Sequence, residues 1–125
     1  MSHYTVKLIR KKEIAEGTTA FYFEKPSGFI YKAGQFARLT LVNPDETDGE
    51  GNSRTFSFAS APYEDDLIFA TRMRDTAFKR VLKTMESGTE IRLNAPYGSF
   101  TLYDDESNPA VFLTGGIGVT PVRSI

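Results

Sequence analysis

The sequence contains no cysteine, and that absence removes several chemistries at once. A disulfide framework, a thiolate metal site and a cysteine nucleophile are all excluded. Histidine is nearly missing as well: the single one, His3, lies at the extreme N-terminus, where side chains are ordinarily solvated. A zinc or copper centre therefore lacks ligands, so no metal site is expected, and Ser-His-Asp chemistry lacks a base. Neither sign of charge is in excess, since 15 Lys and Arg face 16 Asp and Glu for a formal net charge of −1. No global field selects nucleic acid or an anionic membrane, and neither is an expected partner. No apolar run approaches membrane-spanning length, the start Met1-Ser2-His3-Tyr4 is unlike a secretory leader, and no repeat or low-complexity tract is visible. These features lead us to expect a cytoplasmic protein. At 125 residues the chain can build one real core but is small for a two-domain enzyme. Any redox or group-transfer chemistry would have to come from a bound cofactor.

What is present is mostly strand. Tyr4 to Arg10 and the aromatic run Thr18 to Glu24 are rich in β-formers, and Pro26-Ser27-Gly28 closes the second with turn chemistry. Further strands are expected at Gln35 to Val42, Arg54 to Ser60, Leu67 to Met73 and Glu90 to Asn94. Between the third and fourth, Asn43 to Ser53 carries four acidic residues and two glycines and reads as a solvated loop. One helix is expected: Asp75 can cap it, Phe78, Val81, Leu82 and Met85 fall at helical spacing, and Gly88 can stop it. Its apolar stripe suits a cover over a barrel mouth. Ala95 to Phe100 then turns the chain towards a short strand near Thr101-Leu102. The expected fold class is all-β, a six-stranded antiparallel barrel with one capping helix.

At Asp104 the character changes. A polar linker, Asp104 to Pro109, precedes the continuous apolar run Ala110 to Thr114, and Gly115-Gly116-Ile117-Gly118-Val119-Thr120-Pro121 follows at once. Buried strand, glycine turn and threonine-proline helix start read as the opening of a βαβ unit. The expected division is 1–104 for the barrel and 105–125 for the linker and the first strand of a truncated α/β domain.

Three features carry chemistry. In Arg54-Thr55-Phe56-Ser57, alternation puts Arg54 and Phe56 on one face, Thr55 and Ser57 on the other. A forked guanidinium suits a diphosphate, an aromatic ring can pack on a planar heterocycle, and a hydroxyl can reach a ring nitrogen. The same tetrapeptide also fits an edge arginine beside a core phenylalanine. The helix start Asp75-Thr76-Ala77-Phe78-Lys79 offers free N–H groups, a positive dipole end and a lysine, although a capped surface helix has the same pattern. Gly115 to Pro121 lets backbone approach a nucleotide closely.

Taken together and in order, these stretches resemble the ferredoxin–NADP⁺ reductase family. Arg54-Thr55-Phe56-Ser57 is similar to its Arg-x-Tyr-Ser signature, Ala95-Pro96-Tyr97-Gly98-Ser99-Phe100 to its Gly-Pro-x-Gly-x-Phe stretch, and Thr114 to Pro121 to the Gly-x-Gly-x-x-Pro turn opening its NAD(P) domain. The resemblance implies a Greek-key barrel that binds FAD, in preference to FMN. It also implies hydride transfer from NAD(P)H, and electrons passed on to ferredoxin, another iron–sulfur protein or a free flavin. It assigns Arg54 to the pyrophosphate, Phe56 to the isoalloxazine, Ser57 to the neighbourhood of the hydride-accepting N5 as the catalytic residue, and Thr55 to a backbone contact. Thr71 and Arg72 fall where the fifth strand passes the flavin and nicotinamide. Ala77, Phe78 and Lys79 fall at the pyrophosphate-holding helix start, and Gly116, Gly118 and Thr120 beside flavin and nicotinamide.

The sequence departs from the family in three places. Phe56 replaces the usual tyrosine, keeping the ring and losing one hydrogen bond, worth roughly 1 kcal/mol. Thr76 and Lys79 stand where glycine and serine are common. The resemblance implies an NAD(P) domain of which only the opening is expected by Ile125, so an isolated flavin- or partner-binding module without turnover is the alternative expectation. The strand at 110–114, built for parallel neighbours, is expected to be disordered, to fold onto the barrel, or to pair with a second copy as a homodimer.

Overall fold

The computed structural model describes residues 2–98. Its elements run β1 (Ser2–Ala15), β2 (Thr18–Glu24), β3 (Phe36–Leu41), β4 (Ser53–Ser57), β5 (Asp66–Arg72), α1 (Ala77–Thr84) and β6 (Glu90–Tyr97). The expectations for a strand near Thr101-Leu102, for the unit at 105–125 and for pairing through 110–114 lie outside the described residues.

The six strands form one antiparallel sheet in the order β4-β3-β6-β1-β2-β5. Non-neighbouring connections of this kind are those of a Greek-key barrel: β6 returns beside β1, and the chain from β4 to β5 joins the two ends of the sheet. The sheet bends at β1, which is longer than its hydropathy suggests. Its first half, Ser2 to Lys7, pairs with β6, and its second half, from Leu8 on, pairs with β2, with register shifts at Leu8/Arg10 and Glu13/Ala15. Such irregularities let one strand turn a corner between two halves of a sheet. The polar stretch Arg10 to Glu13 is therefore strand because its ladder is satisfied, although its side chains are exposed.

Alternate residues point inward and build one core from Val6, Leu8, Phe21, Phe23, Leu39, Phe58, Leu67, Phe69, Ile91 and Leu93, all buried. Along β5 the burial is continuous from Leu67 to Thr71, because Ile68 and Ala70 pack outward on Ala20 and Ala59 in a second small cluster. Helix α1 covers one mouth of the barrel with Ala77, Phe78 and Leu82. The cap differs from expectation. Thr76 is the N-cap, extended at φ −113° and ψ 155°, and its Oγ1 accepts from the Lys79 N–H at 3.3 Å. Asp75, one residue too early for that geometry, accepts instead from Arg80. Nor does Gly88 end the helix. The chain leaves at Met85, which is extended and buried, and Gly88 (φ 93°) serves a later turn where its N–H donates to Leu8 O at 2.7 Å.

Strand β6 also runs past its expected end, through Ala95 and Pro96 to Tyr97. Proline has no N–H to give a ladder, and the β3–β6 register shifts between Phe36 and Arg38, where that missing donor falls. At Gly98, with φ 99°, a Cβ would stand 2.9 Å from the Phe36 ring, which itself stacks on Tyr97. Glycine is required there.

Candidate functional site

The barrel does not close completely. Strand β4 hydrogen-bonds only to β3 and β5 only to β2, so a seam remains where these two outer strands meet. One end of the seam is fastened. The Ala59 N–H donates to Ile68 O at 2.8 Å, and the Ile68 N–H donates to Ser60 Oγ at 3.1 Å, a side chain standing in for a ladder carbonyl. Ser60 is held in turn by Tyr31, whose hydroxyl donates to Ser60 O at 2.8 Å and whose ring stacks on Phe58 at 4.1 Å. Beyond this lock the strands part. A cleft of about 440 Å³ opens between Thr55–Ser57 and Ala70–Thr71 and runs to the start of α1.

The cleft is lined by Arg54, Thr55, Phe56 and Ser57 from β4, Ala70 and Thr71 from β5, Arg74, Thr76 and Lys79 around the helix start, and Glu50 from the loop before β4. Its two ends differ. Towards β4 and β5 it is lined by half-buried Phe56, by Ala70 and by the hydroxyl-bearing residues Thr55, Ser57 and Thr71. Phe56 is braced from behind by Phe69 and Phe78, with ring centroids 6.4 and 6.0 Å away. Towards the helix the cleft gathers three cations, Arg54, Arg74 and Lys79.

Arg54 is oriented on several sides. Its Nη1 donates to Ser53 O at 2.7 Å and Glu50 O at 2.9 Å, its Nη2 donates to Glu50 Oε2 at 3.0 Å, and its guanidinium lies 5.1 Å over the Phe78 ring. Lys79 donates to Arg72 O at 2.6 Å. Burial, then the neighbouring Arg74 and Arg54 charges, holds the Lys79 ammonium below its ordinary range. This cation is easier to hold charged once an anion joins it. Asp48, outside the cleft, reaches the helix from the acidic loop: its Oδ2 accepts from the Ala77 N–H at 3.1 Å and its Oδ1 from the Glu50 N–H at 2.9 Å. Those two N–H groups, aided by Arg54 and Arg80, lower its carboxyl below the usual value.

Of the residues singled out from sequence, Arg54, Thr55, Phe56, Ser57, Thr71 and Lys79 therefore share one cleft. Ala77 and Phe78 stand behind it, their side chains buried in the core, with the Ala77 N–H held by Asp48 and the Phe78 ring under Arg54. Arg72 is exposed and is not part of the lining. Gly116, Gly118 and Thr120 lie outside the described residues. Glu50, Ala70, Arg74 and Thr76 are additions. Thr76 is the cap where the sequence pointed to Asp75, a difference residue type does not decide, and Glu50 and Arg74 belong to the site through tertiary placement alone. The loop 43–53 is not merely solvated, since it delivers Glu50 to the cleft and Asp48 to the start of α1. Among the described residues no group of acidic and histidine side chains could hold a metal ion, and no helix is long and apolar enough to cross a membrane.

No family model matches the chain. It is 30% identical to ferredoxin–NADP reductase B of Sorangium cellulosum over 126 aligned residues, covering 98% of this chain and 50% of that protein. It is 32% identical over 111 residues to the glycine betaine monooxygenase reductase subunit of Chromohalobacter salexigens, covering 86% of this chain and 29% of the relative. The chain thus spans half or less of the length of these relatives. Among solved structures it matches a ferredoxin NADP⁺ reductase from Neisseria gonorrhoeae with bound FAD and NADP (TM-score 0.65, 26% identity, 78% of this chain and 39% of that one). The fold is also that of an Amycolatopsis cytochrome P450 reductase (TM-score 0.81, 23% identity, 99% of this chain and 38% of that one).

Proposed function

We propose that this chain, which by homology and fold belongs with the ferredoxin–NADP⁺ reductase-like FAD-binding domains, is the flavin-seating part of an NAD(P)H-dependent electron-transfer oxidoreductase. One observation carries the reading: the open seam is lined by Phe56, Ala70 and three hydroxyl-bearing residues at one end and by cations at the other. FAD has the matching polarity, a planar ring system at one end and a diphosphate further along. The fit is chemical at both ends. Phe56 and Ala70 give the ring an apolar wall, while the strand edges beside it leave backbone groups for the polar rim of a flavin.

In this reading Arg54 and Lys79 hold the diphosphate, with the backbone of Ala77 and Phe78 at the positive end of α1. The bracing of Arg54 by the Phe78 ring and the Ser53 carbonyl would fix its fork, so that little side-chain freedom is lost on binding. Phe56 packs on the ring. Ser57, last on β4, would stand on the flavin side, where its hydroxyl could hold or orient a proton, with Thr55 and Thr71 also lining the cleft. Arg72, exposed at the end of β5, would meet the nicotinamide nucleotide rather than the flavin. When bound, the flavin supplies two-electron acceptance and one-electron release, chemistry that no side chain here can provide. Gly116, Gly118 and Thr120 are proposed for the nicotinamide side, within a unit starting at about residue 105. Electrons would pass to ferredoxin or another iron–sulfur protein. The support is that the relatives are a ferredoxin–NADP reductase and an oxygenase reductase subunit.

Purified chain titrated with FAD tests the seat. Quenching of flavin fluorescence and a perturbed visible band are expected. A chain that folds yet leaves the FAD spectrum and fluorescence unchanged would overturn the assignment.

A further inference from the structure

The cationic end of the cleft is already engaged by anions of the protein itself. Glu50 places Oε2 3.0 Å from Arg54 Nη2, and Asp48 places Oδ2 3.1 Å from the Ala77 N–H, the first donor of α1. A guanidinium and a helix N-terminus are the two kinds of donor a diphosphate would use. Both carboxylates come from one short turn. The Gly51 N–H donates to Asp48 O at 3.0 Å, and Asp48 Oδ1 ties down the Glu50 N–H.

We infer that the turn Asp48 to Gly51 is an internal anion that occupies the diphosphate subsite, and that a phosphate-bearing ligand binds by exchange with it. This deepens the FAD reading and rests on it for the identity of the natural ligand. The geometry suits exchange. The Glu50 side chain is 68% exposed, so nothing buries it in place. Glycines flank it on both sides, and at Gly49 and Gly51 even an added Cβ would meet no atom within 4 Å, so the turn has room to lift. Glu50 also lines the cleft and reaches Arg54 Nη2 at 3.0 Å, whereas Asp48 reaches it only at 3.9 Å, so Glu50 is the group that a ligand displaces first. An internal competitor lowers apparent affinity by the fraction of molecules in which the site is free. It also compensates the Arg54 charge and keeps the guanidinium oriented.

The test is calorimetric titration of the full chain with inorganic pyrophosphate and, separately, with FAD, using wild type, Glu50→Gln and Glu46→Gln. Glu46 lies in the same loop but pairs with Arg80, so its loss changes the local field without freeing Arg54. Glu50→Gln is expected to bind pyrophosphate up to about fivefold tighter and clearly more than twofold, the scale of losing one solvent-exposed ion pair, with Glu46→Gln within about twofold of wild type. Three results overturn the inference: an unchanged or weaker Glu50→Gln, an equal gain in Glu46→Gln, or no pyrophosphate binding by any of the three. A pyrophosphate response as expected with no FAD binding leaves the inference standing and removes the flavin assignment. FAD binding with no gain in Glu50→Gln does the reverse.

Discussion

At the scale of single residues, the site is a contest between charges that the protein settles internally. Asp48 illustrates it. Its carboxyl is lowered below the usual value first by the Ala77 N–H and next by the Glu50 N–H, with Arg54 and Arg80 adding to these against the cost of desolvation. A group whose folded pKa lies below its unfolded value stabilises the fold at pH above the unfolded value, and that contribution is lost as pH falls through the folded one. The attachment of the acidic loop to α1 is therefore complete above an ordinary carboxylate pKa of about 4 and is lost only in stronger acid. Thermal denaturation followed from pH 6 down to pH 2 should fall less steeply in Asp48→Asn than in wild type. Superimposable acid limbs would show that Asp48 contributes nothing through its charge. Lys79 is the opposite case: burial first, then the Arg74 and Arg54 charges, disfavour its charged form, so an anion added beside it would favour that form.

At the scale of elements, the seam between β4 and β5 determines what the barrel can do. Ser60 ends the zipped part of that seam. It has no exposed surface, and its Oγ accepts the Ile68 N–H that a closed ladder would have paired. Ser60→Ala should destabilise the chain by about 1–3 kcal/mol, the cost of leaving a buried amide without its acceptor, measured by urea denaturation. An unchanged midpoint would mean that the seam is held elsewhere. Much at this scale was legible in the sequence. The run Thr18 to Glu24 is β2 with its expected bounds, and the Phe78-Val81-Leu82-Met85 spacing located α1, because both depend on local periodicity. The rest depends on tertiary geometry. β1 is strand through four exposed polar residues because two partners share it, and the helix stops where Met85 is drawn into the core, not where a glycine permits. β6 carries a proline through its ladder because a register shift absorbs it. For the site, the tetrapeptide Arg54 to Ser57 and the helix start could be named from residue type and order. Their meeting across an open seam, with Arg74 and Glu50 between them, is set by the curl of the sheet.

At the scale of the whole molecule, the barrel, its lock and its helix place an apolar wall and a cationic pole on one cleft. The chain covers half or less of the relatives described above, so turnover with NAD(P)H belongs to the proposal for the complete protein. The proposed seat, the cleft lined by Arg54 to Ser57, Thr71 and Lys79, requires that one cleft read two parts of one ligand, ring and diphosphate. The most direct measurement compares FAD with riboflavin, which has the ring and no phosphate, by fluorescence quenching against wild type and Arg54→Lys. FAD should bind wild type at least about tenfold tighter than riboflavin. That margin should shrink in Arg54→Lys, which keeps the charge and loses the fork. Equal affinities for the two flavins in wild type, or a margin untouched by Arg54→Lys, would contradict the account.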